Sequence, residues 1–166
     1  MIELAPESPD GYYQRGLVQQ ALGQFEQALQ SYAEVIRLVP DSPIDYRSRG
    51  DVYLTMGEYE AALCECQQAV QADEGDAVSH YGIAFAYEAL GEYRQALDAY
   101  RWVTELAPEA VVGHLGCGEA YRALGEYERS LEAFRQALAL EPQNTNVHNG
   151  MGLTYEAQGQ YEQALE

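Results

Sequence analysis

The sequence predicts an all-α chain, a solenoid of stacked helix-turn-helix repeats. Three observations carry this. A seven-residue string returns every 34 residues, small residues return at the same interval in two fixed columns, and glycine and proline punctuate each interval at fixed places. The string reads Gly23-Gln-Phe-Glu-Gln-Ala-Leu29, then Gly57-Glu-Tyr-Glu-Ala-Ala-Leu63 and Gly91-Glu-Tyr-Arg-Gln-Ala-Leu97. It closes with Gly125-Glu-Tyr-Glu-Arg-Ser-Leu131 and Gly159-Gln-Tyr-Glu-Gln-Ala-Leu165. A fixed period of this size marks one supersecondary unit stacked on copies of itself, each covering its neighbour's apolar face.

The unit is legible in residues 77–110. Ile83, Ala84, Tyr87 and Leu90 recur at helical spacing and give a first apolar stripe. Gly91 ends that helix in the position glycine favours, just past the last turn. Tyr93, Ala96, Leu97, Tyr100, Val103 and Leu106 form the stripe of a second helix, and Pro108 stops it. The same register gives complete units at 9–42, 43–76, 77–110 and 111–144, with a truncated fifth at 145–166. Residues 1–8 match the end of a unit, as comparison with Glu105-Leu-Ala-Pro-Glu109 shows. A single array cut inside a repeat at both ends is therefore expected.

Small residues set the helix spacing. Gly16, Gly50, Ala84, Gly118 and Gly152 share one place in the first helices; Ala28, Ala62, Ala96, Ser130 and Ala164 share one in the second. Small side chains let helices pack at the near end of the ~8–10 Å interaxial range. Glycine inside a helix costs up to ~1 kcal/mol against alanine, so its repeated use implies that close approach outweighs propensity. Tyr53, Tyr87, Tyr121 and Tyr155 are expected to fill the space beside the column.

These residues resemble the tetratricopeptide repeat, a 34-residue helix-turn-helix unit, over the whole chain. Gly50 and Tyr53 match the family's small residue and tyrosine in the first helix. Ala62 matches its small residue in the second, and Pro40, Pro108 and Pro142 match its late proline. Gln19 stands where tyrosine is usual, Cys66 where a bulky aromatic is usual, and Glu74-Gly75 replaces the late proline. A looser junction after residue 72 is expected from that last departure. The resemblance implies a right-handed superhelix whose first helices line a concave groove that binds peptide segments.

By that resemblance the groove lining comprises Tyr13, Leu17, Gln20, Arg47, Asp51, Leu54, Tyr81 and Phe85, then Glu88, Leu115, Glu119, Arg122, Asn149, Leu153 and Glu156. The set is unusually apolar for a surface, as partner sites commonly are. Leu17, Leu54 and Leu153 best suit the competing role of packing on neighbouring first helices; Tyr13, Tyr81 and Phe85 suit it less. The family's clamp for acidic chaperone tails is absent, since its places hold Tyr13, Leu17, Ser48, Val78 and Gly82.

Composition bounds the partners. The net charge is −18, and all nine basic residues are arginine. Such a chain repels phosphate backbones and anionic lipid heads, so neither nucleic acid nor a membrane surface is an expected partner. No apolar run reaches the length of a membrane span, and the acidic N-terminus is not a signal peptide, so a cytoplasmic location is the default. Cys64, Cys66 and Cys117 lack secreted-disulfide spacing and are read as small apolar packing residues in a reducing compartment.

His80, His114 and His148 recur at the repeat interval. Successive units stand ~10 Å apart, whereas zinc ligands lie ~2.0–2.1 Å from their ion, so these imidazoles cannot converge on a metal. They are expected to fill the aromatic slot of Tyr12 and Tyr46. Gly116-Cys-Gly118 and Gly150-Met-Gly152 are only fragments of a phosphate-loop pattern, lying inside predicted helices. No catalytic constellation stands out, and no enzyme activity, cofactor or metal is expected.

The expected function is a non-enzymatic protein-interaction scaffold that binds a protein, a peptide or a partner helix along the concave face. Two rivals are a self-associating or spacer segment and a regulatory segment of a larger enzyme. Uncapped ends, with Met1, Ile2 and Leu4 at one and Tyr155 and Tyr161 at the other, would allow weak self-association.

Overall fold

In a computed structural model, which describes residues 7–40 and 42–159, the 34-residue register becomes a series of antiparallel helix pairs. The helices are α1 (Pro9–Ala21), α2 (Phe25–Leu38), α3 (Pro43–Met56), α4 (Tyr59–Ala72), α5 (Ala77–Ala89), α6 (Tyr93–Leu106), α7 (Val111–Ala123), α8 (Tyr127–Leu140) and α9 (Thr145–Ala157). Among the described residues there is no strand, so the chain is an all-α repeat solenoid. The stub carrying Met1, Ile2 and Leu4 and the segment carrying Tyr161 and Ala164 lie outside the described residues.

The chain forms two compact units, Met1–Ala86 and Tyr87–Glu166, with the boundary inside α5. In the first, α1 packs on α2, α2 on α3 and α3 on α4; in the second, α6 packs on α7, α7 on α8, and α8 on α9. Ala28, Tyr32 and Val52 form one core, with Tyr13, Phe25, Leu29 and Met56 packed against it. Val111, Phe134, Ala137 and Val147 form another, joined by Leu115, Leu138 and Met151.

Two kinds of glycine build the pairs. Gly57 closes α3 at φ 77°, with nothing within 4 Å of where a Cβ would stand; it is there for its backbone conformation alone. Its amide donates to the Leu54 carbonyl and the next amide, Glu58, to the Tyr53 carbonyl, and the same turn recurs at Gly23, Gly91 and Gly125. The helix-interior glycines serve close approach instead. A Cβ on Gly16 would meet the Tyr32 ring at 2.6 Å, and one on Gly50 would meet the Cys66 sulfur at 2.6 Å.

The structure adds a second small column that the sequence reading assigned no role. Gly82, Gly116 and Gly150 abut Cys66, Tyr100 and Phe134 of the preceding second helix. Cys66 thus lies between Gly50 and Gly82, and Phe134 between Gly118 and Gly150. The glycines at 116 and 118 therefore set α7 against two different rings, Tyr100 of α6 and Phe134 of α8, and they serve packing where the sequence offered only a fragment of a phosphate-loop pattern. In the second-helix column Ala28, Ala62, Ala96 and Ser130 are all fully buried. The Ser130 hydroxyl is satisfied by donating to the Gly118 carbonyl at 2.8 Å.

The recurring histidines tie links to helices. Each Nε2 faces a backbone carbonyl six residues upstream: His80 with Glu74 at 3.1 Å, His114 with Pro108 at 3.3 Å and His148 with Pro142 at 2.9 Å. As a protonated nitrogen must do the donating, each ring is held in the Nε2–H form.

The link after α4 is not loose. Asp76 accepts from the Val78 amide at 3.2 Å and the Ser79 hydroxyl at 2.6 Å, and Arg47 Nη1 donates to both its oxygens at 3.2 Å. Asp73 accepts from the Gly75 amide at 3.0 Å. Carboxylates do here by hydrogen bonding what proline does elsewhere by ring constraint. The thiols also divide differently from the expectation: Cys66 and Cys117 are buried, whereas Cys64 is exposed because it lies on the solvent side of α4.

Candidate functional site

The predicted lining residues fall into three groups by what they touch. The first is packed. Tyr13 lies against the Tyr32 core, with ring centroids 5.9 Å apart, and Leu115 lies against the Phe134 core. Leu54 is half-buried, its Cδ1 3.8 Å from where a Gly82 Cβ would stand. This partly reverses the expectation. Leu17 and Leu153, read as the better packing residues, are 38% and 40% exposed. Tyr13, read as the freer one, is held by the core because its ring reaches down to α2.

The second group is engaged in polar contacts. The Tyr32 hydroxyl donates to Gln20 at 3.0 Å, and the Tyr100 hydroxyl donates to Glu88 at 2.5 Å. Glu119 and Arg122 pair along α7, with Nε at 3.0 Å. Arg47 is tied to Asp76. Asp51 is partly enclosed: burial raises its pKa, Arg47 pulls it back and Asp76 pushes it up again.

The third group is open. Phe85 is 39% exposed and lies one turn beyond half-buried Tyr81 on α5, with ring centroids 6.3 Å apart. Leu17 belongs to the same unit. Asn149, Leu153 and Glu156 are exposed on α9 in the other unit.

Two features were missed. Trp102 is half-exposed on α6, outside the predicted face. A groove of about 340 Å³ opens between α1, the end of α2 and the start of α3, lined in part by Tyr13, Val35, Val39, Ile44 and Asp45. A sequence signal for it existed. Gly11, Asp45, Ser79, Gly113 and Val147 occupy one register position, and Asp45 is the sole charged residue among them.

No helix of the described residues is long and apolar enough to cross a membrane. Among those residues, no group of three or more His, Cys, Asp or Glu side chains is placed to hold a metal ion.

The chain belongs to the tetratricopeptide-repeat family. Family models described as tetratricopeptide repeat match residues 13–77 and 77–109, and one described as TPR repeat matches 118–159. No curated protein sequence matches the chain. Solved structures share the fold. A crystal structure of MamA protein has a TM-score of 0.89 at 23% identity, covering 96% of this chain and 87% of that one. That of YrrB, described as a TPR protein with an unusual peptide-binding site, gives 0.82 at 21%, covering 99% and 84%. That of TTC0263, a thermophilic TPR protein of Thermus thermophilus, gives 0.73 at 22%, covering 95% and 87%. A scaffold for protein–protein interaction is the class that family and fold support, and such arrays are generally non-enzymatic.

Proposed function

We propose that the chain is a non-catalytic scaffold that binds a peptide or partner helix on its first-helix surface, with Tyr81 and Phe85 as central anchors. The observation that carries this reading is the Tyr81–Phe85 pair. Two aromatic rings stand one turn apart on α5, and the outer one is 39% exposed. Large apolar side chains left at a surface among polar neighbours are where partner binding energy concentrates. Leu17 adds apolar area in the same unit, and Asp51 adds a charged contact for specificity. Asn149, Leu153 and Glu156 supply an exposed surface of the same kind on α9. The peptide-binding site named for YrrB supports a peptide as the occupant. The net charge of −18 disfavours nucleic acid and anionic membranes as partners. All three thiols are free, which suits the reducing cytoplasm.

The test is capture of partners by the wild-type chain and by a Tyr81→Ala/Phe85→Ala variant, read by mass spectrometry alongside circular dichroism. Aromatic anchors contribute ~2 kcal/mol or more at an interface, so the variant is expected to lose the partner while keeping its helical signal. Equal capture by a folded variant rejects these anchors. An unfolded variant shows that the two rings belong to the core.

A further inference from the structure

The groove at the start of α3 holds a carboxylate that the equivalent positions of the other repeats, Gly11, Ser79, Gly113 and Val147, lack. Asp45 is only 4% exposed, yet its Oδ1 has no hydrogen-bond partner; Oδ2 accepts from the Ser42 hydroxyl. A buried, unmet carboxylate oxygen costs stability, and a hydrophobic or hydroxyl residue would fill the position more cheaply, as Ser79 and Val147 do at equivalent places. Asp45 lines this groove together with apolar Tyr13, Val35, Val39 and Ile44 and with exposed Asp10. At about 340 Å³ the groove falls within the size range of small-ligand pockets.

We infer that this groove is a receptor for a lysine side chain of the bound peptide, its methylene stem against Val35, Val39 and Ile44 and its ammonium on Asp45. The inference rests on the peptide-binding reading and adds a second anchor to it. Three arguments select the occupant. Apolar walls ending in a carboxylate match a side chain with an aliphatic stem and a cationic head. Asp45 and Asp10 together repel an anionic group, and the chain's net charge of −18 draws a cation in. Asp45 has a single oxygen to offer, because Ser42 holds the other. One oxygen suits the point charge of an ammonium and wastes the bidentate fork of a guanidinium. Since Oδ1 is closed off from bulk water, engagement includes a rotation of the Asp45 carboxylate toward the groove.

The probe is N-acetyl-lysine methylamide, titrated into the full ¹⁵N-labelled chain and followed by amide chemical shifts. The neutral isostere N-acetyl-norleucine methylamide and N-acetyl-arginine methylamide are run in parallel. Shifts localised to Tyr13, Val39, Ile44 and Asp45 are expected with the lysine probe. Binding about tenfold or more weaker is expected for norleucine, and for the lysine probe on Asp45→Asn, from the usual strength of a hydrogen bond to a charged group. Val39 is 42% exposed, so Val39→Phe plugs the groove from its mouth without touching the carboxylate, and it should abolish the shifts even if Asp45→Asn fails to fold. Equal shifts from norleucine, arginine binding as tight as lysine, or unchanged binding by folded Val39→Phe overturns the inference. A failed probe alongside successful capture through Tyr81 and Phe85 rejects the groove alone. A positive probe alongside failed capture leaves the groove standing and rejects the anchors.

Discussion

A Cβ placed on Gly118 would stand 2.5 Å from Cε1 of Phe134. The aromatic ring has no room to retreat, because Gly150 presses on it from the next first helix, with the corresponding distance 2.6 Å. The ring fills the space that two absent side chains leave.

Gly118→Ala should therefore destabilise the chain by about 1–2 kcal/mol. Overpacking a tight core costs ~1–3 kcal/mol, and the better helix propensity of alanine returns up to ~1. Phe134→Leu should relieve much of the clash, so a double-mutant cycle in urea should show strong coupling between the two positions. Additive losses would mean that the ring yields freely.

Asp76→Ala should cost about 2 kcal/mol or more. The change removes a helix cap worth ~1 kcal/mol together with charge-assisted bonds to Arg47. Asp76→Asn, which retains an acceptor for the Val78 amide, should lose less. Urea midpoints within error of wild type for both variants would show that this link is held by other contacts.

One thiol per native chain should react with a maleimide at pH 8. Cys64 is exposed, whereas burial pushes the Cys66 thiol up to about 12 and the Cys117 thiol up to about 11. Thiolate, not thiol, is the nucleophile, so the buried pair stays inert until the chain unfolds. Intact-mass spectrometry should count one adduct in buffer and three in denaturant; two or three in buffer would contradict the burial.

Mild acid should stabilise the chain. Burial raises the pKa of Asp45, Asp51 and Glu65; the Ser42 hydroxyl opposes it at Asp45 and Arg49 at Glu65, while at Asp51 Arg47 opposes it and Asp76 adds to it. A carboxyl whose folded pKa exceeds its unfolded value contributes stability that is full below the unfolded pKa and lost as pH rises through the folded one. Melting temperature should accordingly climb as pH falls from 7 toward the raised values. Relief of repulsion among acidic groups acts in the same direction, so the separating control is an Asp45→Asn/Asp51→Asn/Glu65→Gln variant, whose profile should be flatter. Parallel profiles for the two proteins would remove these three groups as the cause.

Much of the architecture was readable because it repeats. Gly57 and Gly91 mark helix ends by a conformation that side-chain residues avoid, and that preference is local. Gly50 and Ala62 advertise a close helix contact because the same columns return in each unit. The site was less legible. Tyr13 and Leu17 look alike as apolar first-helix residues, yet one reaches the Tyr32 core and the other faces solvent. Arg47 reads as a groove-lining side chain, but it is bonded to a carboxylate 29 positions away.

The sequence alone determined the class of fold and its helix-turn-helix unit, since propensity, turn chemistry and the 34-residue period act through near neighbours. Only the tertiary structure decided which side chains remain available. The second glycine layer at 82, 116 and 150, the Arg47–Asp76 tie and the unmet oxygen of Asp45 all arise between helices. Burial and partnering belong to pairs of residues brought together by packing. A single register position cannot report what will lie across from it.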